Sequence, residues 1–507
     1  MMQKHGKGSI FEELRLHRTK CSRIIERVLS PSLKEELKED MVGARFSALA
    51  DESNDISVDK NLCLVVIYFS MKTEKIEVAY LSLYQVIEAT LFKVIETSLQ
   101  DMDLQWTNCV GFGSDGASNM VGIHNSVWSR IEEKAPNCTL FKCICHSLAL
   151  CVKIAFDTLP SNLGYILSEV SSWFSNSTLR RENYMALYDA IGDLDAEEGK
   201  ITKAGSSLWC TLKQYFLTAE QLSDQSARMK ARFIKEMLCD DNNYLFFIFL
   251  EPIVKEVERV NAFFQSSKAD PEQMVKELDL LHRSIKIRVK DANGTNLSLS
   301  RVDFGGAFMT MLMSLVRERG PRGDALQQSV NQNVKTRAQT FMETLLIQLE
   351  ARMPVSQQVF RGLSTLCSQK VLSQSGRATF LELPSRHLIQ DVGLVEMQYR
   401  KIQLHIWQEE SIFNGDLPQE SESFWAKIRL YKLSDESHPY RELVDYALAA
   451  LSVPVSNAIV ERIFSHVTFV KNKNRSTLSL QMLDLIIRVR MHLRLKGICC
   501  TSLIVPL

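Results

Sequence analysis

The sequence has no excess of either charge: 60 Lys and Arg balance 60 Asp and Glu over 507 residues. Bulk charge therefore selects neither nucleic acid nor a membrane surface, and any nucleic-acid surface has to be a local patch. No apolar run is long enough to cross a bilayer. The densest, residues 244–250, falls far short of the roughly 20 residues that a span needs. The opening MMQKHGKGS lacks the apolar stretch and cleavage site of a secretory signal. The 12 cysteines, scattered from Cys21 to Cys500, are accordingly expected as reduced thiols in a soluble, intracellular protein. There is no internal repeat. Before residue 60 no Cys and His pair up at zinc-finger spacing, and His17 and Cys21 stand alone.

What is present is organised around FSALADESNDIS, residues 46–57. Phe46, Ala48, Leu49 and Ala50 form a short apolar run that breaks into Asp51, Glu52, Ser53, Asn54 and Asp55. A run of this kind predicts a buried strand that delivers an acid to the edge of a sheet. Residues 62–69 (LCLVVIYF) are rich in β-branched and aromatic side chains, and residues 77–86 alternate. The polar turn between them, residues 72–75, suits an antiparallel meander of three strands. A helical pattern over 90–99 comes next. NCVGFGSD, residues 108–115, is then a second apolar strand that ends in an acid, Asp115. Gly111 and Gly113 allow close backbone packing there, and Gly116 an unusual turn. Helix is expected over 119–134, strand over 138–145 and helix over 146–157.

From residue 159 to 438 helical patterns dominate and strand-like alternation is scarce, which predicts a large all-α insertion. The last part returns to a compact pattern, with strong helices expected over 455–470 and 478–493. The domain reading is a helical, basic arm (1–42), the first part of an α/β core (43–160), an all-α insertion (161–440), a C-terminal region that completes the core (441–495) and a tail (496–507).

Two carboxylates at the ends of neighbouring strands can share a divalent cation, because Mg²⁺ prefers oxygen ligands and keeps several waters. Two such ions about 4 Å apart activate a nucleophile and stabilise a leaving oxygen in phosphoryl transfer. Three meander strands followed by helix, strand and helix is the order of an RNase H-like core, in which strands one and four lie side by side. That order would bring Asp51 and Asp115 to one sheet edge. The alternative is two unrelated turn aspartates.

The segments ALADESNDIS, GFGSDGASNM, Cys143-Ile144-Cys145-His146 and PVSNAIVERIFS, in this order, resemble the hAT superfamily of DNA transposases. More closely, the chain from about residue 15 to 495 is similar to transposase-derived proteins related to zinc-finger BED-type and MYM-type proteins. The resemblance implies an RNase H-like mixed sheet interrupted by a long helical insertion. It also implies a catalytic triad of Asp51, Asp115 and Glu461 holding Mg²⁺ or Mn²⁺. Water on the metal would cut one strand at the element end, and the freed hydroxyl would attack the opposite strand to close a hairpin. Cys143 and His146 match the family's Cys-x-x-His motif beside the core, which implies a DNA-positioning or core-packing role, with structural zinc as the rival. Trp209 matches a tryptophan that stacks on a base flipped from the DNA, with a core aromatic as the alternative. The resemblance further implies a homodimer or higher homo-oligomer formed through the C-terminal region, in the nucleus, with DNA as the partner and neither a membrane nor a small-molecule substrate.

Two departures from the family stand out. The arginine expected before Trp209 is missing, since Ser207 and Leu208 precede it, and the family's N-terminal finger is not found before residue 60, as expected either of a truncated chain or of a lost DNA reader. Glu52 and Asp55 are expected as bystanders to the metal. Lys471, Lys473 and Arg475, with Arg488, Arg490, Arg494 and Lys496, make the clearest basic cluster, suited either to phosphates or to solvent. Two functions from different classes follow: a two-metal DNA strand-cleaving and strand-transferring enzyme, or a domesticated, non-catalytic protein that dimerises on DNA or chromatin.

Overall fold

The computed structural model describes residues 18–54, 60–86, 91–175, 177–197, 204–219, 225–266, 270–373, 375, 377–472 and 475–499. Asp55, Lys473, the arm before Arg18 and the tail beyond Cys499 lie outside them. The described residues divide into two compact units. One draws on Met1–Ser147, Phe263–Lys276 and Pro354–Leu507, the other on Leu148–Ala262 and Glu277–Met353.

The first unit is built on a five-stranded mixed sheet in the order β3-β2-β1-β4-β5. Its strands are β1 (Phe46–Asn54), β2 (Lys60–Ser70), β3 (Lys75–Gln85), β4 (Cys109–Ser114) and β5 (Thr139–Lys142). The first three form the expected antiparallel meander, and β4 pairs parallel to β1. The adjacency of strands one and four is therefore present.

Period-2 alternation assigns each strand residue to a face. Phe46, Ala48 and Ala50 of β1 join Leu62, Leu64, Val66 and Tyr68 of β2 in one core. Leu37 of α1 (Ser30–Asp40) packs against this core, and the face is covered by α2 (Leu91–Gln100), through Leu91, Ile95 and Leu99, and by α3 (Val127–Lys134), through Val127 and Ile131. Leu49, Cys63, Val65 and Tyr80 point to the opposite face, where they pack on Val460, Ile463 and Val467 of α6 (Ala458–Val470) and Leu483, Ile487 and Met491 of α7 (Leu480–Leu495). These two helices cover that face of the sheet.

Three local differences from the pattern have physical reasons. β1 does not stop at Asp51 but runs to Asn54, because the longer β2 goes on pairing with it down to Asn54↔Lys60. The helix expected over 119–134 is split into Ser118–Val121 and α3, and the second piece restarts at Ser126, whose Oγ accepts the Ser129 N–H at 3.1 Å. Strand β5 covers only Thr139–Lys142, since Ile144 already opens helix α4 (Ile144–Phe156).

The second unit is helical throughout its described residues apart from turns and one isolated bridge, Lys290↔Asn296. One of its cores gathers Ile166, Trp173, Trp209, Phe216, Ile234 and Leu238. The all-helical unit ends at Met353, whereas the pattern extended the insertion to 440. The helices after Met353 cluster with the sheet: Trp425 of α5 (Ser421–Leu430), for example, is fully buried and donates its indole N–H to the Leu366 carbonyl at 2.8 Å. Helical periodicity alone carries no information about which core a helix joins.

Candidate carboxylate site

Asp51 is two residues beyond Leu49, so it shares the sheet face that α6 covers. The parallel ladder between β1 and β4 ends at Leu49↔Gly113, two residues short of Asp51 and of Asp115 alike. Both aspartates therefore sit where β4 has ended. Asp51 is held by β2, opposite Cys63, and Asp115 occupies the turn after Ser114. Each spends Oδ1 on local bonds: Asp51 accepts the Glu52 N–H at 3.0 Å, and Asp115 accepts the Ala117 N–H at 2.9 Å and the Ser114 hydroxyl at 3.2 Å. Among the described residues neither Oδ2 has a hydrogen-bond partner.

Glu461 reaches this corner from more than 300 residues away in sequence, in the first turn of α6. Two glycines set that helix. A Cβ at Gly113 would stand 2.9 Å from Pro454 Cγ, and one at Gly111 would stand 2.7 Å from Ser47 Oγ and 3.1 Å from Pro454 Cδ. Only bare backbone lets the loop before α6 lie this close to β4. The same loop is tied by Asn457, whose N–H donates to Cys143 Sγ at 3.4 Å. The Cys143 carbonyl accepts the first turn of α4 from Ser147 at 3.0 Å, so the thiol sits at a helix start. Donors from Cys145, Asn457 and His146 lower the Cys143 thiol against the opposing effect of its burial.

The electrostatics tie these pieces together. The Asp51 carboxyl is pushed up from 3.8 to about 7. Burial is the first cause and the negative field of Asp115 the second, with Cys143 and Glu461 adding to it and the Glu52 N–H opposing. Asp115, Cys143 and Glu461 are thus all near enough to act on Asp51 through space. A half-buried carboxyl raised by neighbouring acids is a common property of functional sites.

Among the described residues no three His, Cys, Asp or Glu side chains are arranged as a finished metal cage. The donor set nevertheless fits a hard divalent cation. Mg²⁺ is commonly held by one or two carboxylates plus waters. Asp51 and Asp115 offer two mutually repelling carboxylates, each with a free oxygen, and the exposed Glu461 offers a third.

The other sequence candidates are placed as follows. Glu52 accepts from Asn119 Nδ2 at 3.2 Å. Cys143 is buried beside the carboxylates, and His146 is half-buried one turn along α4. Lys471 is buried at the end of α6, and Arg475 is exposed. Trp209 lies in the helical unit with its ring stacked on Tyr244 at 5.3 Å, and its indole N–H donates to the Leu238 carbonyl at 3.2 Å. In this structure it is a core aromatic, and a flipped base would have to displace Tyr244 or Phe247 to reach it. The sequence reading missed Pro454 and Asn457. The signal was PVSN directly before the glutamate helix.

Residues 10–126 match the family model described as the ZMYM1/FAM200 RNase-like domain, DUF4371. That family is transposase-derived, and the five-stranded mixed sheet is consistent with an RNase-like domain. The matched segment includes β1 to β4 with Asp51 and Asp115, and it ends before Cys143 and Glu461.

Proposed function

We propose, with the RNase-like match as premise, that the protein is a hAT-transposase-like enzyme that cleaves and transfers DNA strands at Asp51, Asp115 and Glu461. The observation that carries the proposal is Asp51 itself. It is pushed up to about 7 on the sheet face that Glu461 approaches, with Asp115 at the adjoining strand end. Asp51 and Asp115 would hold a divalent cation through their free oxygens, and Glu461 would join from the helix start. The bound ion would supply charge neutralisation at the phosphate and a water acidic enough to attack it. Asp51 must lose its proton to serve as a ligand, so loading the site releases a proton below about pH 7. The loop from Pro454 to Asn457, buried at both ends, would fix the approach of Glu461 to the pair. The same proposal puts the protein on DNA in the nucleus, as a homodimer or higher homo-oligomer through its C-terminal region.

The alternative, a domesticated protein without catalysis, is favoured by one observation: Trp209 is committed to a helical core. Purified full-length protein, labelled duplex DNA and Mg²⁺ or Mn²⁺ separate the two. Metal-dependent nicking lost in Glu461→Ala supports the enzyme. No nicking and no metal uptake by folded protein supports the alternative.

A further inference from the structure

Helix α7 carries positive charge on two faces that differ in their partners. Arg488 and His492, four residues apart, both meet acids: Arg488 lies 3.4 Å from Asp484, and His492 lies 3.8 Å from Glu36. Lys496, just past the helix end, adds a second pair at 3.1 Å from Glu36. Arg490 and Arg494 are also four apart and face α6 instead. With Arg462, Ser465, His466 and Phe469 they line an open cleft of about 310 Å³ that no carboxylate lines. Among the described residues none of these three guanidiniums is paired with an acid. Arg462 Nε bonds only the Ala458 carbonyl of its own helix, at 3.3 Å, and Arg494 abuts His466 Nε2. Arg490 stands 5.0 Å over the Phe469 ring, which is 66% exposed.

Such an arrangement is costly for the isolated chain. Like charges held together repel, and burial together with Arg494 and Arg490 lowers the His466 imidazole below its ordinary value. An external anion would relieve the repulsion. Guanidinium forks match phosphate oxygens, and an exposed aromatic beside arginines suits a base or sugar. A single small anion would satisfy one fork, whereas three forks lining one cleft suit a chain of phosphates. Arg462 follows Glu461 directly, so the cleft begins one residue from the carboxylate site.

We infer that the α6–α7 cleft binds the sugar-phosphate backbone of a nucleic-acid strand, with Arg462, Arg490 and Arg494 on phosphates and Phe469 against a base or sugar. The choice of nucleic acid rests on the proposed function, but the cleft needs no catalysis. The test is fluorescence anisotropy of a labelled DNA oligonucleotide with the full-length chain, in EDTA and over a range of salt. Each lost phosphate contact flattens the log–log salt slope by about 0.9. Arg490→Gln with Arg494→Gln should flatten it by about 2 and weaken binding by roughly tenfold or more near 0.1 M salt. Lys255→Gln, on the helical unit, should change neither. An unchanged slope and affinity in a folded double variant overturns the inference. If that variant does not fold, Arg462→Gln takes its place, with the imidazole resonance of His466 in the unmutated protein as a second measure. Bound oligonucleotide should raise the His466 pKa by offsetting Arg494. A shift with inorganic phosphate but none with oligonucleotide points to a small-anion site and overturns the inference. Asp51→Asn should abolish nicking and leave the salt slope intact, so failure of the cleft and failure of the catalytic proposal give different results.

Discussion

Replacing Asp51 with Asn should make the metal-free protein more stable at neutral and alkaline pH. Folding raises this carboxyl from 3.8 to about 7, so between those pH values the folded protein holds a proton that the unfolded chain has lost. The stability linked to that proton is fully present below the unfolded value and is lost as pH rises through about 7. Above that, the folded state carries a charge that burial, Asp115, Cys143 and Glu461 all disfavour. A shift of this size corresponds to about 4 kcal/mol at most. Part of it will be relieved by solvent and side-chain rearrangement, so an observed gain of about 2–4 kcal/mol is expected at pH 8. Asn keeps an oxygen for the Glu52 N–H, so the local bond survives. Denaturant midpoints followed by circular dichroism, with hydrogen exchange over β1 and β2 as a local measure, should show the variant ahead at pH 8 and level with the unmutated protein near pH 4. Added Mg²⁺ or Mn²⁺ should narrow the gap at pH 8 by stabilising only the unmutated chain. A variant less stable at pH 8, or a gap that is the same at both pH values, would refute the reasoning.

Gly113→Ala should cost about 1–3 kcal/mol, because the new Cβ meets Pro454 at 2.9 Å and the strand cannot yield without shifting the start of α6. Its metal-dependent nicking should fall with secondary structure retained, and full nicking would show that the close approach is dispensable. Trp209→Ala should destabilise the helical unit by about 3–5 kcal/mol, seen as an early unfolding step, with DNA affinity unchanged while the unit is folded. Lost affinity at full stability would restore the base-stacking role. Glu461→Ala should abolish nicking while leaving oligonucleotide binding in EDTA unchanged, and residual nicking would remove Glu461 from the site.

The sheet was legible because strand residues report their surroundings locally. LCLVVIYF is buried on both faces and reads as continuous apolar sequence, and β3 reads as alternation. The acids at 51 and 115 stood out because each closes an apolar run. What stayed hidden is whatever depends on pairing partners. The extension of β1 past Asp51 is set by the length of β2, and residues 51–54 alone look like a turn. The split before α3 depends on a serine cap, and its polar residues fit a continuous helix equally well. Trp209 was ambiguous for a related reason, since an indole in an amphipathic helix has the same sequence signature whether it packs on Tyr244 or on a base.

Glu461 shows the same limit from the other side. Nothing in the pattern of α6 distinguishes Glu461 from any exposed acid in a first turn. Its significance comes from a contact of two glycines with Pro454, more than 300 residues apart in sequence. Gly111 and Gly113 are on the strand that delivers Asp115, and the loop they admit starts the helix that delivers Glu461. One close approach therefore positions both acids relative to Asp51, and the Asn457 bond to Cys143 ties the start of α4 to the same point. This coupling gives GFGSD and PVSNAIVE a joint physical meaning that neither has alone. A change at either glycine should disturb the field felt by Asp51, and with it the pH at which that carboxyl titrates, even where no acid has been altered.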